Sequence, residues 1–207
     1  MVETQVGHKT RSVEQNIFDA AEEIFHEHGF DGARMQEIAD RAGINKAMLH
    51  YYFRSKDRLF QTVFSAALDR MLQRIVEPLA SDLPLGIKIR RFVETYVDEL
   101  HRHPKMPGFI ITELNRHPER LKEAALKHIV PVLPKIQEQI DESVGEGRIK
   151  PVEAEDLIVN LVSLCTFPFL ARPVMQAVLG ADPSRYDAFL DKRKTSITDF
   201  VFNALQT

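Results

Sequence analysis

The chain of 207 residues has no tryptophan and a single cysteine, Cys165. One cysteine cannot close a disulfide within the chain, and its apolar neighbours are typical of a small buried side chain in a reducing compartment. Long hydrophobic runs are also absent, since the most apolar stretch, Leu157 to Leu170, covers 14 residues where a membrane-spanning helix needs roughly 20. The first residues contain no apolar signal segment. These absences predict a soluble, cytoplasmic protein with no membrane partner.

The net charge of −3 offers little attraction for a nucleic acid, but the charge is unevenly spread. Residues 34–60 carry six basic and three acidic side chains, a local net charge of +3, whereas residues 1–33 carry two basic and seven acidic ones. A phosphate backbone responds to the charge on one face of a protein rather than to the whole chain. The composition therefore leaves a nucleic-acid partner open.

Helical periodicity marks the N-terminal part of the chain. The predicted helices cover residues 12–28, 35–42 and 46–53. Ser12 and Gln15 predict a capping box at the first helix, Gly43 can end the second in the left-handed conformation, and Asn45 is a good N-cap for the third. Two short helices joined by a turn that contains glycine are the layout of a helix-turn-helix.

The rest of the chain also predicts helices. Ser55 can cap a fourth helix that reaches about Val76, and Pro131 and Pro134 should kink or split a later one. The further helices are expected at residues 87–100, after 107, at 118–144, 152–171 and 184–206. Because no convincing period-2 alternation occurs, the predicted fold class is all-α.

The last helix carries an apolar seam with steps of four and three residues, and the helix before it is apolar nearly all round. One interpretation is packing inside the chain's own domain; the other is a four-helix interface in a homodimer. The candidate interface residues are Leu157, Leu161, Leu164, Tyr186, Leu190, Ile197, Phe200 and Ala204.

Several short motifs of residues 12–60 follow one another in order. They are Gly29-Phe30, Ile38-Ala39 with Ala42-Gly43, Tyr52-Phe53, and Ser55-Lys56-Asp57-Arg58-Leu59. This arrangement resembles the DNA-binding domain of the tetracycline-repressor (TetR) family, and it covers about the first quarter of the chain.

The resemblance implies a flexible N-terminus (1–11), a helix-turn-helix domain (12–58) and a ligand-binding and dimerisation domain (59–207). It further implies a bacterial homodimer that binds a palindromic double-stranded operator in the nucleoid, most often as a repressor released by a small organic ligand. The sequence departs from the family pattern where Arg34 and Met35 replace a frequent threonine, and where the third helix has Ala47, Met48, His50 and Tyr51. These departures bear on base preference.

The third helix divides into two faces. Leu49, Tyr52 and Phe53 form one stripe and are predicted to pack inward. The other face presents Lys46, Ala47, Met48, His50 and Tyr51, a mixture that suits phosphates, thymine methyl groups and base edges in a major groove. Lys56, at the start of the next helix, is a candidate phosphate contact. Further candidates are Arg34, Gln36 and Asn45, for which helix capping or plain solvation is the alternative.

A ligand-binding cavity is expected near the kinked helix and residues 165–175. Its candidate lining residues are Phe92, Tyr96, Phe109, Phe167, Phe169 and Met175, with Arg172 as the partner of an anionic group. Core packing is the alternative for each aromatic residue. The expected ligand is a small, mostly apolar organic molecule.

Metal and catalytic sites are not indicated. His101 and His103 do not share a helix face, and a position near a helix C-terminus explains both. No nucleophile with a base, no glycine-rich phosphate loop and no cofactor motif is present. The leading hypothesis is a dimeric repressor that a ligand releases from DNA; the alternatives are a regulator controlled by a protein partner without such a ligand, and an activator.

Overall fold

A computed structural model describes residues 12–180 and 182–206, so the expected flexible N-terminus (1–11) lies outside the described residues. Every regular element within these ranges is helical, as the predicted all-α class requires. The helices are α1 (Val13–Gly32), α2 (Met35–Arg41), α3 (Lys46–Phe53), α4 (Lys56–Ala80), α5 (Leu85–Arg102), α6 (Met106–Arg116), α7 (Pro118–His128), α8 (Leu133–Gly145), α9 (Ala154–Leu170), α10 (Arg172–Val178) and α11 (Pro183–Leu205).

The chain divides into two compact units between Leu68 and Asp69, inside α4. In the first unit, Ile24, Ile38 and Leu49 have no exposed surface and form one apolar cluster. Leu59, from the start of α4, belongs to the same cluster. Because this core needs α4, the first unit extends further along the chain than the expected boundary after residue 58.

The start of α1 follows the predicted cap in part. The Ser12 hydroxyl accepts a hydrogen bond from the Gln15 backbone N–H at 3.1 Å. The Gln15 side chain donates to Asp19 at 2.8 Å instead of reaching back to the cap. The capping box is therefore present only in its first half. Near the other end, Gly29 has φ 70° and ψ −178° and breaks the helical path inside α1.

The second unit is built around α5, α9 and α11, which bury Phe92, Leu161 and Ile197. The predicted disruption by proline is confirmed, because a single 3-10 turn at Val130–Val132 separates α7 from α8. Proline cannot donate the backbone hydrogen bond that a continuous helix needs, and its ring clashes with the preceding turn.

Pro168 has a similar effect inside α9. Its missing N–H leaves the Leu164 carbonyl without its helical donor, and the Arg193 guanidinium donates to that carbonyl at 3.1 Å. The Tyr186 hydroxyl donates to the Pro168 carbonyl at 3.0 Å. Two side chains of α11 thus satisfy the carbonyl that the proline leaves without a donor and a second carbonyl in the last turn of α9.

No single helix within residues 12–180 and 182–206 has the length and apolar composition of a membrane span. Helices α9 and α10 reach that composition only when taken together, and they are bent by 76° relative to each other.

The predicted intersubunit seam needs correction. Five of its eight residues are buried inside the chain, with at most 3% of their surface exposed: Leu157, Leu161, Tyr186, Leu190 and Ile197. They pack in the core of the second unit, so the interpretation that they meet another subunit is wrong. Leu164 is half-buried, whereas Phe200 and Ala204 are exposed.

Candidate DNA interface

The turn between α2 and α3 is a Schellman motif centred on Gly43. The Gly43 N–H donates to the Asp40 carbonyl at 3.1 Å, and the Ile44 N–H donates to the Ala39 carbonyl at 3.0 Å. Gly43 has φ 69°, in the left-handed region that favours glycine. The predicted helix stop is confirmed, and it fixes the direction in which the chain enters α3.

Helix α3 is held by its cap and by its inner face. The Asn45 side chain accepts a hydrogen bond from the Met48 backbone N–H at 2.8 Å, as expected for an N-cap. Leu49 is fully buried and Phe53 is 7% exposed, and both belong to the apolar cluster of the first unit. The rest of the helix is therefore held on a fixed base.

The outer face of α3 is open. Tyr51 is 81% exposed and Met48 41%, and Lys46, Ala47 and His50 are also exposed. The structure thus places all five predicted groove-facing residues on the surface of one short helix.

The predicted inward position of Tyr52 is wrong. Its side chain is 42% exposed, and its ring packs edge-to-face against Tyr51 with centroids 5.6 Å apart. Phe53 fills the space in the core, so Tyr52 is left at the border of the buried stripe. The tyrosine pair forms one aromatic ledge on the outer face, and Tyr52 joins the candidate interface.

The ring of His50 is oriented by the end of its own helix. Its Nδ1 lies 3.1 Å from the Arg54 carbonyl. Because a carbonyl only accepts, Nδ1 carries the proton in this contact, and neutral His50 then presents Nε2 as an acceptor. Arg54 follows with φ 51°, the one non-glycine residue with a positive φ in the described part of the chain.

The flanking candidates differ in how they are held. Arg34 is the exposed N-cap residue of α2 and makes no side-chain capping bond. Gln36 donates to Asp40 at 2.8 Å. The Lys56 ammonium donates to the Asp31 carbonyl at 3.2 Å and lies 4.8 Å from the centre of the Phe30 ring. Lys56 is thereby held at the start of α4, where Ser55 accepts from the Arg58 N–H.

Ion pairs sort the basic residues of this region. Arg41 contacts Glu23 at 3.1 Å and Glu27 at 3.3 Å, which ties α2 to α1. The hydrogen bond from Arg41 holds the pKa of Glu27 below its usual range. Four other basic residues have no carboxylate within 4.0 Å among the described residues: Arg34, Lys46, Arg54 and Arg58.

The predicted ligand-binding residues of the second unit differ in how far they are exposed. Phe92 is 2% exposed and packs on Tyr96, whose hydroxyl lies 2.9 Å from that of Thr166. Phe169 is buried, Phe109 and Met175 are half-buried, and Phe167 is 59% exposed on the surface. Arg172 is exposed, with its guanidinium 5.1 Å from the centre of the Tyr186 ring, which argues against an inward anion contact.

Polar clusters of the second unit join helices. Asp69 on α4 contacts Lys127 at 2.6 Å and His128 at 2.9 Å, both on α7. These contacts hold the pKa of Asp69 below its usual value, chiefly through the Lys127 hydrogen bond. Within the part of the chain that the structure describes, no group of three His, Cys, Asp or Glu side chains is placed to hold a metal ion.

Known proteins match both units. Residues 17–63 match the family described as "Bacterial regulatory proteins, tetR family", and residues 87–201 match "Tetracyclin repressor-like, C-terminal domain". The regulator RutR of Escherichia coli is 25% identical over 178 residues, covering 84% of each chain. The repressor NicS of Pseudomonas putida is 26% identical over 222 aligned positions, covering 99% of this chain and 96% of NicS.

A solved structure agrees at the level of the fold. The crystal structure of a transcriptional regulator from Cytophaga hutchinsonii superposes with a TM-score of 0.64 at 20% identity, covering 94% of this chain and 98% of that one. With a family match over more than half of the chain and an exposed helix-turn-helix, the protein belongs to the TetR family of DNA-binding transcriptional regulators.

Proposed function

We propose that the protein is a homodimeric repressor of the cytoplasm that binds a palindromic operator through α3 and leaves it when a small ligand binds. The observation that carries the proposal is the division of α3 into a buried base and an exposed face. Leu49 and Phe53 fix the helix, while the residues that remain exposed are suited to phosphates and base edges.

The side chains of α3 have distinct proposed roles. Lys46 supplies a charge for phosphate or guanine, and Met48 and Ala47 contact thymine methyl groups. Tyr51 hydrogen-bonds a phosphate or base edge, and the adjacent Tyr52 ring restricts its orientation. His50 accepts from a base-edge donor through Nε2.

Arg34, Gln36, Asn45 and Lys56 are proposed as flanking contacts to the backbone phosphates. Asn45 and Lys56 would make these contacts in addition to the cap and the carbonyl bond that they already form.

Dimerisation is proposed through the outer faces of α9 and α11. Val159 is 62% exposed, Phe167 59% and Phe200 63%. Exposed apolar side chains of this size on the two helices are typical of a surface that another protein covers. A twofold dimer would place two α3 helices on successive major grooves, about 34 Å apart.

The proposal of repression is supported by a relative, and the proposal of ligand release by the course of α4. NicS, which spans nearly the same length, is named a repressor. Helix α4 runs without interruption from Lys56 to Ala80 and contributes to both compact units. A ligand that favours one arrangement of the second unit would act on α3 through this helix by shifting the population between two states.

The operator is tested by selection from a random DNA duplex library. We expect enrichment of an inverted repeat with half-sites about one helical turn apart. Enrichment of no sequence, or of a single asymmetric site, would contradict the proposal. Ligand release is tested by a thermal-shift screen, in which a compound that raises the melting temperature should also release the selected duplex. If stabilising compounds leave the DNA affinity unchanged, ligand release is wrong.

A further inference from the structure

A cleft of about 290 Å³ lies in the second unit and shares no residue with the ligand-binding set predicted from the sequence. It is bounded by the first residues of α5, the last turns of α8, the turn that follows α8 and the end of α11. The Lys150 N–H donates to the Leu205 carbonyl at 2.7 Å, which ties this turn to the end of α11.

One side of the cleft is apolar. Ile89 is 1% exposed, and Phe202 and Leu205 line the cleft beside it. Gly86 lies beside the Phe202 ring, and a Cβ there would be in ordinary van der Waals contact with it at 3.6 Å. This side can hold the hydrocarbon part of a ligand.

The opposite side presents hydrogen-bond acceptors. Gln139, Glu142 and Ser143 occupy positions i, i+3 and i+4 on one face of α8, and all three line the cleft. The Gln139 amide nitrogen donates to the Leu83 carbonyl at 3.1 Å, which fixes the orientation of the amide. Its oxygen is then left buried, with no donor among the described residues. The Ser143 hydroxyl donates to the Gln139 backbone carbonyl at 2.8 Å, so only its lone pairs remain.

Two charged residues line the cleft, Glu142 and Arg148. Arg148 lines the cleft from the turn after α8 and forms an exposed ion pair with Glu146, which does not line the cleft. Glu142 lines the cleft and has no basic partner within 4.0 Å in residues 12–180 and 182–206. The α8 side of the cleft therefore presents one carboxylate without a basic partner beside two neutral acceptors.

We propose that this cleft binds a small organic ammonium ion, with its nitrogen against Gln139, Glu142 and Ser143 and its apolar body on Phe202. An ammonium group offers three donors and no acceptor, which matches the three acceptors on α8. On the α8 side, Glu142 repels an anion, and a neutral molecule leaves Glu142 without a cationic partner. The volume equals about ten water-sized groups, which suits an amine with one ring. The role of such a ligand as the effector of a repressor rests on the proposed function, whereas its binding to the cleft does not.

The test uses the full chain without DNA at pH 7, with three probes of similar shape: benzylamine, benzyl alcohol and benzoate. Binding is measured by NMR titration, in which the side-chain amide signals of Gln139 report on the site. Benzylamine should bind at least about tenfold more tightly than the other two, because a charged hydrogen bond contributes more than a neutral one. Glu142→Gln should weaken benzylamine binding about tenfold. Glu138→Gln, an exposed glutamate of α8 outside the cleft, should not.

Three outcomes would overturn the proposal: benzyl alcohol or benzoate binding as tightly as benzylamine, equal affinity of the two glutamine variants, or no shift of the Gln139 signals with benzylamine. Melting temperatures show whether each variant is folded. The two proposals fail separately. A protein that binds benzylamine but no DNA contradicts the proposed function alone, whereas selective DNA binding without any response to benzylamine contradicts the cleft alone.

Discussion

Replacing Phe200 with aspartate should separate the proposed dimer. Phe200 is 63% exposed in the single chain. A phenylalanine of about 200 Å² then leaves about 125 Å² for a second copy to cover. At about 25 cal/mol per Å², each copy contributes about 3 kcal/mol and the pair about 6 kcal/mol. The loss corresponds to roughly a 10⁴-fold weaker dimer.

The assay is sedimentation velocity at micromolar concentration. The unmodified protein should sediment at twice the chain mass of 23.7 kDa, and Phe200→Asp at the chain mass. Leu126→Asp is the matched control, since Leu126 is 54% exposed but lies on α7. An unmodified protein that sediments as a monomer, or an equal change of mass in both variants, would contradict dimerisation through Phe200.

Three further predictions concern the stability and chemistry of single residues. Gly43→Ala should lower the free energy of unfolding by about 1 kcal/mol in a denaturant titration, because alanine is strained at φ 69°; Gly108→Ala, inside α6 with open space around a Cβ, should not. Cys165 should react with a disulfide reagent only after unfolding, since burial raises the pKa of its thiol to about 12; rapid reaction in the native state would contradict this. Asp69 has a lowered pKa in the folded protein. Its contribution to the free energy of unfolding is therefore present above the unfolded pKa of about 3.9 and is lost as the pH falls through the lower folded pKa. Asp69→Asn should therefore cost up to about 1 kcal/mol at pH 7 and nothing in strong acid, and a pH-independent difference would argue against the ion pairs.

The turn, cap and inner stripe of α3 could be predicted from the sequence because each depends on neighbours within five residues. Gly43 and Asn45 satisfy backbone groups at the helix ends, and Leu49 and Phe53 are one turn apart. Tyr52 could not be placed in this way. It borders the buried stripe, and only the packing of the whole first unit decides whether its ring is covered.

The apolar seam of α11 shows a different limit. A step of four and three residues indicates that one helix face is covered, but it does not indicate what covers it. Leu190 and Ile197 are covered by the chain itself. Phe200 lies three residues after Ile197 but is 63% exposed. Together with the exposed Val159 and Phe167 on α9, it suggests that a second copy covers this surface.

The cleft carried no sequence signal, because its residues come from three separate stretches of the chain. Gln139 and Glu142 are ordinary polar residues of an amphipathic helix until Phe202 and Arg148 are brought beside them. The proline pattern correctly predicted the break between α7 and α8, but a broken helix does not by itself form a ligand-binding wall. Phe167 and Arg172, on α9 and α10, are exposed.

Fluorescence anisotropy with the selected duplex at fixed salt measures whether the exposed face of α3 contacts DNA. Each hydrogen bond contributes about 1 kcal/mol. Tyr51→Ala, present in both protomers of the dimer, should therefore weaken DNA binding by about 2 kcal/mol, roughly 30-fold. Because Tyr51 is 81% exposed, the melting temperature of the Tyr51→Ala variant should differ little from that of the unmodified protein. Lys46→Ala should behave alike, and Lys122→Ala, exposed on α7, should bind as the unmodified protein does. Unchanged affinity of both α3 variants would contradict the account.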